Sequence, residues 1–289
     1  MTMQGKVCLI TGGTNGIGKS AAQALAQLGA TVVIVGRDAQ KTSQVVSEIR
    51  SAAGNTNVDS LLADLSSQQD VRRLASDFQS RYSRLHVLLN NAGGTYLKRQ
   101  LSVDGIDMTF ALNHLAYFLL TDLLLDTLKA SAPARIISVS SDAHANGKIE
   151  FDNLQGERAY SGLEPYGNSK LANILFTREL ARRLEGSGVT ANALHPGLTS
   201  TGFGRNNPGL LMTIMGVVIP LIARSPEKGA ATSIYLASSP EVQSTTGEYF
   251  VDSKVAKTAP QAADMAVARK LWEVSAEMVH LSDRMPARG

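Results

Sequence analysis

Residues 11–18 read Thr11-Gly12-Gly13-Thr14-Asn15-Gly16-Ile17-Gly18 and follow the apolar run Val7-Cys8-Leu9-Ile10. The next segment, from Gly16 to Leu28, has the apolar spacing of a helix and ends at Gly29. Glycines allow a tight turn and a close backbone approach, and a helix N-terminus offers unpaired N–H groups to a phosphate. A glycine-rich turn between a strand and a helix therefore favours a dinucleotide-binding unit. The residues expected to contact the cofactor here are Gly12, Thr14, Asn15, Gly16, Ile17 and Gly18.

Short β-branched runs alternate with helix-like segments along the rest of the chain. The predicted strands run from Val7 to Ile10, Thr31 to Val35, Val58 to Leu62, His86 to Leu89, Arg135 to Ser140, Val189 to Leu194 and Glu248 to Val251. Their nearly continuous apolar character is typical of a parallel sheet buried on both faces, and the βαβ alternation implies right-handed crossovers. We therefore predict one α/β domain over residues 1–289, a doubly wound Rossmann fold with a seven-stranded parallel sheet and helices on both faces. Ligands should bind at the carboxyl ends of the strands.

Composition excludes several classes of function. The 289 residues carry a formal net charge of +3 without a block of Lys or Arg, so nucleic-acid binding is not expected. The five histidines show no metal-ligand spacing, so no metal site is predicted. The one cysteine, Cys8, lies in an apolar run and is predicted to be a core residue in a reducing compartment. The N-terminus leads directly into the first strand, so we expect a cytoplasmic protein without a signal peptide or N-terminal membrane anchor.

The end of the second strand indicates the type of cofactor. An NAD site usually places an acid there for the ribose 2′-hydroxyl, whereas a 2′-phosphate needs room and a cation. The sequence has Gly36 where the acid would stand, followed by Arg37, whose guanidinium can bind a phosphate through two hydrogen bonds. This pattern predicts NADP(H) in preference to NAD(H). The alternative is that Arg37 is a solvated loop residue; in either case Asp38 can cap the next helix.

Two further strand ends can contribute to the cofactor site. Asp64-Leu65 ends the third strand and could contact the adenine ring. The run Asn90-Asn91-Ala92-Gly93 ends the fourth, where small residues let the backbone approach the cofactor. The predicted contacts are Asp64, Leu65, Asn91, Ala92 and Gly93.

A phenol and an ammonium are predicted to share one helix face. Tyr166 and Lys170 are four residues apart, within Tyr166-Gly167-Asn168-Ser169-Lys170. A free phenol has a pKa near 10, and a neighbouring ammonium would lower that pKa towards the working range of an acid or base. Ser140, at the end of a predicted strand, could hydrogen-bond a substrate oxygen as charge develops. Together these groups could move a proton while a nicotinamide moves a hydride.

These segments, in this order, resemble the classical short-chain dehydrogenase/reductase family over essentially the whole chain. The resemblance implies a catalytic tetrad of Asn113, Ser140, Tyr166 and Lys170. In such enzymes the asparagine holds a water that links the lysine to solvent, and the lysine also binds the nicotinamide ribose. Pro196-Gly197 is similar to the family's Pro-Gly pair beside the nicotinamide, and Thr199 or Thr201 would contact the carboxamide. Tyr166 and Lys170 are thus expected to touch the cofactor as well as the substrate.

Finer features are similar to the retinol dehydrogenase-like and WW-domain oxidoreductase-like branch. They are Asn113-His114-Leu115, the run Ser169-Lys170-Leu171-Ala172-Asn173, His195-Pro196-Gly197 and Tyr249-Phe250-Val251-Asp252. The resemblance implies a carbonyl–alcohol oxidoreductase acting on a lipophilic small molecule, retinol or retinal in type, with a substrate lid at about 198–225. The Leu- and Met-rich character of this segment suits a bulky, weakly polar substrate.

Several alternatives remain open from the sequence. The lid segment could be a surface helix or a membrane-surface patch that collects lipophilic substrates. The protein could be an NADP(H)-sensing regulator or a scaffold on the same fold, although it keeps both Tyr166 and Lys170. The family implies a homodimer or homotetramer through the helices that carry Tyr117 and Tyr166, whereas the finer branch is more often monomeric.

Overall fold

One eight-stranded sheet forms the centre of the molecule. The computed structural model describes residues 2–197 and 224–281. Within them the strand order is β3-β2-β1-β4-β5-β6-β7-β8. The strands are β1 (Val7–Thr11), β2 (Thr31–Gly36), β3 (Val58–Leu62), β4 (Val87–Asn90), β5 (Ala134–Val139), β6 (Val189–His195), β7 (Tyr249–Val251) and β8 (Lys254–Val255).

The first seven strands are parallel, and the order reverses between β1 and β4. Chain connections leave this point in opposite directions, so a crevice opens between the loops that follow the two strands. Open α/β sheets bind their ligands at this switch point. The doubly wound α/β fold predicted from the sequence is confirmed.

Helices cover both faces of the sheet. They are α1 (Gly16–Gln27), α2 (Ala39–Ala53), α3 (Gln68–Arg81), α4 (Met108–Phe110), α5 (Ala116–Ala130), α6 (Glu164–Arg183), α7 (Pro226–Ser238) and α8 (Met265–Met278), with a π-helical turn, Ala111–Leu115, between α4 and α5. Side chains of the strands alternate between two cores: Leu9 lies with α3, α5, α6 and α8, whereas Cys8 and Ile10 lie with α1, α2 and α7. Cys8 is a fully buried core residue, as predicted, and this burial raises its pKa to about 12.

The seven-stranded prediction is corrected by a short eighth strand. β8 pairs antiparallel with β7, and Val251 lies opposite Lys254 across a two-residue turn. Both turn residues have positive φ, 50° at Asp252 and 60° at Ser253. These are the backbone angles of a type I′ hairpin, which normally signals itself by a glycine. Asp252-Ser253 contains none, so the sequence pattern gave no hairpin signal.

Among the described helices, the α4–α5 region is the most apolar. Among the described residues, only the stretch Met108–Ala130 is long and apolar enough to span a membrane, with a mean hydropathy of 1.4. However, 72% of its most apolar window is buried inside the fold. This burial is typical of a core helix. The lid predicted at about 198–225 lies almost entirely outside the described residues.

Candidate active site

A large cleft lies at the carboxyl ends of the central strands. Its volume is about 1120 Å³, slightly above the range typical for one drug-sized ligand. Most of the predicted site residues line it: Gly12, Thr14, Asn15, Ile17, Gly18, Arg37, Leu65, Asn91, Ala92, Gly93, Ser140, Tyr166, Lys170, Pro196 and Gly197. Residues scattered from position 12 to position 197 therefore meet in one place.

The loop after β1 has a backbone that only glycine can provide. Gly12 and Gly16 have φ values of +66° and +49°. A Cβ at Gly18 would lie 2.3 Å from the Gly12 carbonyl oxygen, so no side chain fits where α1 turns out of the loop. Asn15 precedes α1, but its side chain does not bond the first-turn N–H groups. These N–H groups remain available to a phosphate, which supports a dinucleotide at this helix N-terminus.

Thr11 joins the loop after β4 to the end of β1. Its hydroxyl accepts hydrogen bonds from the backbone N–H groups of Asn91 (2.8 Å) and Ala92 (3.0 Å). The Asn91 side chain donates back to the Thr11 carbonyl at 2.8 Å. Thr11 is thus a positioning residue that the sequence analysis missed. Its position at the end of the first predicted strand, where the ligand is expected to bind, could have indicated this role.

The end of β2 has no room for an acidic side chain at position 36. A Cβ at Gly36 would lie 2.1 Å from Thr42 Oγ1 and 2.7 Å from Thr14 Cγ2. Arg37 is exposed and lines the cleft together with Lys41, a second cation that the sequence analysis missed. No carboxylate among the described residues forms an ion pair with Arg37. Asp38 caps α2 through the Lys41 N–H at 2.7 Å, as predicted.

Asp64 and Leu65, which follow β3, differ in whether they line the cleft. Leu65 lines the cleft, as does Ala63, but Asp64 is not part of the wall. The Asp64 carboxylate accepts hydrogen bonds from the N–H (3.0 Å) and hydroxyl (2.8 Å) of Ser66. These bonds draw the carboxylate into its own turn, so the structure favours Leu65 over Asp64 as a cofactor contact.

Helix α6 carries the phenol and the amine into the cleft. Tyr166 is partly exposed, whereas Lys170 is buried. The Lys170 Nζ lies 5.4 Å from the centroid of the Tyr166 ring and 6.0 Å from that of Tyr117. It donates a hydrogen bond to the Val139 carbonyl at 3.1 Å. The predicted pair therefore shares one helix face beside the end of β5.

Two consecutive serines follow β5, and they face different partners. Ser140 is 1% exposed, and its hydroxyl donates to the Lys170 carbonyl oxygen at 2.7 Å. Ser141 is partly exposed, lines the cleft and hydrogen-bonds the Tyr166 phenol. The predicted catalytic serine, Ser140, therefore needs correction, because its hydroxyl is committed to the helix backbone. Ser141 is the hydroxyl beside the phenol.

Burial is the main influence on the two titratable groups. It raises the pKa of Tyr166 to about 12, although the hydrogen bond with Ser141 acts to lower it. Burial also lowers the pKa of Lys170 to about 8. The sequence predicted the opposite direction for the phenol, because it considered the neighbouring charge without the loss of hydration that both groups undergo. At neutral pH the site therefore presents a protonated phenol.

Asn113 lies beneath the site in the π-helical turn. Its Oδ1 accepts a hydrogen bond from the Gly94 N–H at 2.8 Å, and its Nδ2 donates to the Gly94 carbonyl at 2.9 Å and to Ser169 Oγ at 3.0 Å. The side chain is fully buried, so it holds the loop after β4 against α6. π-helical turns are frequently found at functional sites. Nothing in the sequence pattern distinguished this turn from an ordinary α-helix.

The end of β6 completes the wall of the cleft. Pro196 and Gly197 line it, as expected, whereas Thr199 lies outside the described residues. His195 also lines the cleft and contacts the Asp142 carboxylate at 3.1 Å. Among residues 2–197 and 224–281, no three His, Cys, Asp or Glu side chains form a group suited to a metal ion.

Comparisons with known proteins identify the family of this chain. The model of the short chain dehydrogenase family matches residues 6–208. Retinol dehydrogenase 14 of Homo sapiens is 45% identical, covering 96% of this chain and 88% of that protein. Retinol dehydrogenase 13 of Homo sapiens is 43% identical, covering 97% and 86%.

Solved structures show the same fold. An uncharacterised protein from Mycobacterium paratuberculosis is 30% identical with a TM-score of 0.78, covering 96% of this chain and 95% of that one. A short chain dehydrogenase from Burkholderia cenocepacia in complex with NADP is 27% identical with a TM-score of 0.68, covering 86% and 97%. The chain is an oxidoreductase that belongs to the short-chain dehydrogenase family, in its retinol dehydrogenase-like branch.

Proposed function

We propose that this protein interconverts a carbonyl and an alcohol on a lipophilic, retinoid-like small molecule, with NADP(H) as the hydride carrier and Tyr166 as the acid and base. The observation that carries the proposal is the partly exposed Tyr166 phenol, hydrogen-bonded by Ser141 and flanked by the Lys170 amine, in a cleft of about 1120 Å³.

The cofactor half of the cleft suits a phosphorylated dinucleotide. Gly12 and Gly18 admit no side chain against Ala92 and the Gly12 carbonyl. The first-turn N–H groups of α1, which follow this loop, can bind a pyrophosphate. Arg37 and Lys41 are two exposed cations beside Gly36, where an acid would be sterically excluded. This arrangement supports a 2′-phosphate, and hence NADP(H) over NAD(H). The relative from Burkholderia cenocepacia was solved with NADP.

The chain's own residues handle the proton. When bound, the nicotinamide supplies or accepts the hydride. In the reductive direction Tyr166, protonated because its pKa is about 12, donates its phenolic proton to the carbonyl oxygen. The Ser141 hydroxyl stabilises the negative charge that develops on that oxygen. Lys170, held by the Val139 carbonyl, supplies positive potential beneath the phenol, and Asn113 fixes the neighbouring loop.

The substrate class is inferred from the relatives. Two proteins 45% and 43% identical to this chain are named retinol dehydrogenases. The apolar segment at 198–225 supports a lipophilic substrate. We further propose a cytoplasmic protein that contacts membrane surfaces weakly.

The decisive experiment is oxidation of NADPH and of NADH with a panel of lipophilic aldehydes and ketones that includes all-trans-retinal. We expect turnover with NADPH, and a loss of roughly 10²- to 10⁴-fold in Tyr166→Phe with NADPH binding retained. Binding of NADPH without turnover by any carbonyl would favour the regulator, and wild-type activity in Tyr166→Phe would exclude Tyr166 as the acid. Equal use of NADH would contradict the cofactor preference.

A further inference from the structure

Two buried polar residues outside the proposed mechanism lie next to it. Asn173 follows Lys170 by three positions on α6, and His114 follows Asn113 in the π-helical turn; both are fully buried. The Nδ1 atom of His114 lies 3.2 Å from Asn173 Oδ1, and its Nε2 lies 3.0 Å from Ser275 Oγ on α8. A polar chain thus crosses the apolar core from the last helix to the catalytic helix.

The orientation of the Asn173 amide is determined by its acceptors. Its Nδ2 donates to the Asn113 carbonyl at 2.9 Å and to the Val139 carbonyl at 3.3 Å. Neither carbonyl can donate a hydrogen bond, so the amide nitrogen has to face them. The Oδ1 atom of Asn173 therefore faces His114 and needs a donor from it.

The tautomer of His114 follows from this orientation. Burial lowers the pKa of His114 to about 4, so the imidazole is neutral at pH 7. Its proton must be on Nδ1 to satisfy Asn173, which leaves Nε2 as the acceptor for the Ser275 hydroxyl. Phe110, with its ring centroid 5.0 Å away, and Phe176, at 6.1 Å, flank the imidazole. Each hydrogen bond then has one donor and one acceptor: Ser275 donates to His114, and His114 donates to Asn173, which donates to the two carbonyls.

The chain of polar side chains ends at the Val139 carbonyl oxygen, which also anchors the Lys170 amine. The Val139 carbonyl oxygen accepts both Asn173 Nδ2 and Lys170 Nζ. Asn173 also joins Val139 to Asn113, so the end of β5 and the π-helical turn are held together beside Lys170. A displacement of Asn173 would move the carbonyl on which the ammonium rests. Displacements of about 1 Å in such support can cost roughly a hundredfold in rate.

We propose that Asn173, oriented by His114 and Ser275, is a positioning residue that fixes the Val139 carbonyl and, through it, the Lys170 ammonium. The inference rests on the proposed function, in which Lys170 supports Tyr166. It adds α8 to the parts on which the catalytic geometry depends, through Ser275, which lies more than a hundred positions after Lys170 in the sequence.

Four variants test the proposal by kinetics. Asn173→Asp keeps the shape but cannot donate to two carbonyls, and His114→Phe keeps a ring among the phenylalanines but removes the donor. His114→Asn restores a side-chain N–H near the Nδ1 position. Thr177→Val is the matched control, because it removes a different buried hydrogen bond, from Thr177 Oγ1 to the Asn173 backbone carbonyl at 2.7 Å.

We expect Asn173→Asp and His114→Phe to lower kcat by roughly tenfold to a hundredfold and to shift its pH dependence. His114→Asn should recover most of kcat, and Thr177→Val should leave both kcat and the pH profile close to wild type. Wild-type kcat and pH profile in Asn173→Asp and His114→Phe would overturn the proposal. So would a loss in Thr177→Val as large as theirs.

Nuclear magnetic resonance provides a test that does not need turnover. The ¹⁵N shifts of His114 in the wild-type protein should show the neutral Nδ1–H tautomer, and the Lys170 ε-carbon resonance should move in His114→Phe. An Nε2–H tautomer, or an unchanged Lys170 resonance, would overturn the inference. If no carbonyl is reduced by the wild type, the proposed function fails, but these resonances still decide whether the chain positions Lys170.

Discussion

The Ser140 hydroxyl donates a hydrogen bond to the Lys170 carbonyl oxygen at 2.7 Å, in a position that is 1% exposed. This bond ties the end of β5 to the backbone of the catalytic helix. It also leaves Ser141 as the serine whose hydroxyl meets the Tyr166 phenol. Adjacent serines thus have separate roles, one in holding α6 and one in the cleft.

The separate roles lead to opposite effects of two alanine substitutions. Ser141→Ala should lower kcat by roughly 10²- to 10³-fold with little change in stability, because it removes a hydroxyl that stabilises developing charge. Ser140→Ala should retain most of kcat and lose about 1 kcal/mol of unfolding free energy with its buried hydrogen bond. Steady-state kinetics and urea unfolding of both variants provide the measurement. If Ser140→Ala lowered kcat strongly and Ser141→Ala did not, Ser140 would be the catalytic serine.

The cation pair beside Gly36 should select the cofactor. Arg37→Ala should weaken NADPH binding by roughly tenfold to a hundredfold, the effect of losing a charge-assisted hydrogen bond, and leave NADH nearly unchanged. Lys41→Ala should act in the same direction, more weakly, because an ammonium lacks the paired geometry of the guanidinium. Titration of both cofactors by fluorescence measures the two affinities. Equal losses for NADPH and NADH would mean that neither side chain contacts the 2′-phosphate.

An acid at position 36 should not convert the protein to NADH. The Cβ of Gly36→Asp would lie 2.1 Å from Thr42 Oγ1, and Thr14 Cγ2 closes the other side. We expect overpacking to lower stability by about 1–3 kcal/mol. Thermal unfolding and the KM for NADH would be measured together. A stable Gly36→Asp variant with a tenfold lower KM for NADH would contradict this view of the β2 end.

Burial of Lys170 should appear as a pH-dependent stability. Its folded pKa, about 8, lies below the ordinary lysine value of 10.5, so between these values the unfolded chain binds more protons than the folded protein. Stability should therefore rise with pH from 8 to 10, by on the order of 2 kcal/mol from this group. Above pH 10 the raised pKa of Tyr166 acts in the opposite direction.

Lys170→Met removes the titrating group while keeping a linear side chain. Urea unfolding of wild type and Lys170→Met at pH 8, 9 and 10 gives the difference directly, because the other ionisable groups are common to both. As pH rises, the unfolding free energy of the wild type should increase relative to that of Lys170→Met. Parallel stability curves would show that the Lys170 pKa is unshifted.

Sequence reasoning succeeded where a pattern has one structural solution. The strand predicted from Thr31 to Val35 is found at Thr31–Gly36, because its continuous apolar run is buried within a parallel sheet. Gly12, Gly16 and Gly18 similarly identified the loop after β1. The serine assignment was wrong because Ser140 and Ser141 differ only in which partner each meets, and those partners come from α6. Lys41 and the π-helical turn were missed because neither has a local signature.

The contact between His114 and Ser275 joins residues 161 positions apart. Contacts of such sequence separation form late, since the loop between them has to close first. During synthesis, a ribosome must release nearly the whole chain before α8 can reach the catalytic helix. The support of Lys170 is therefore completed only when the C-terminal helix has packed into the core.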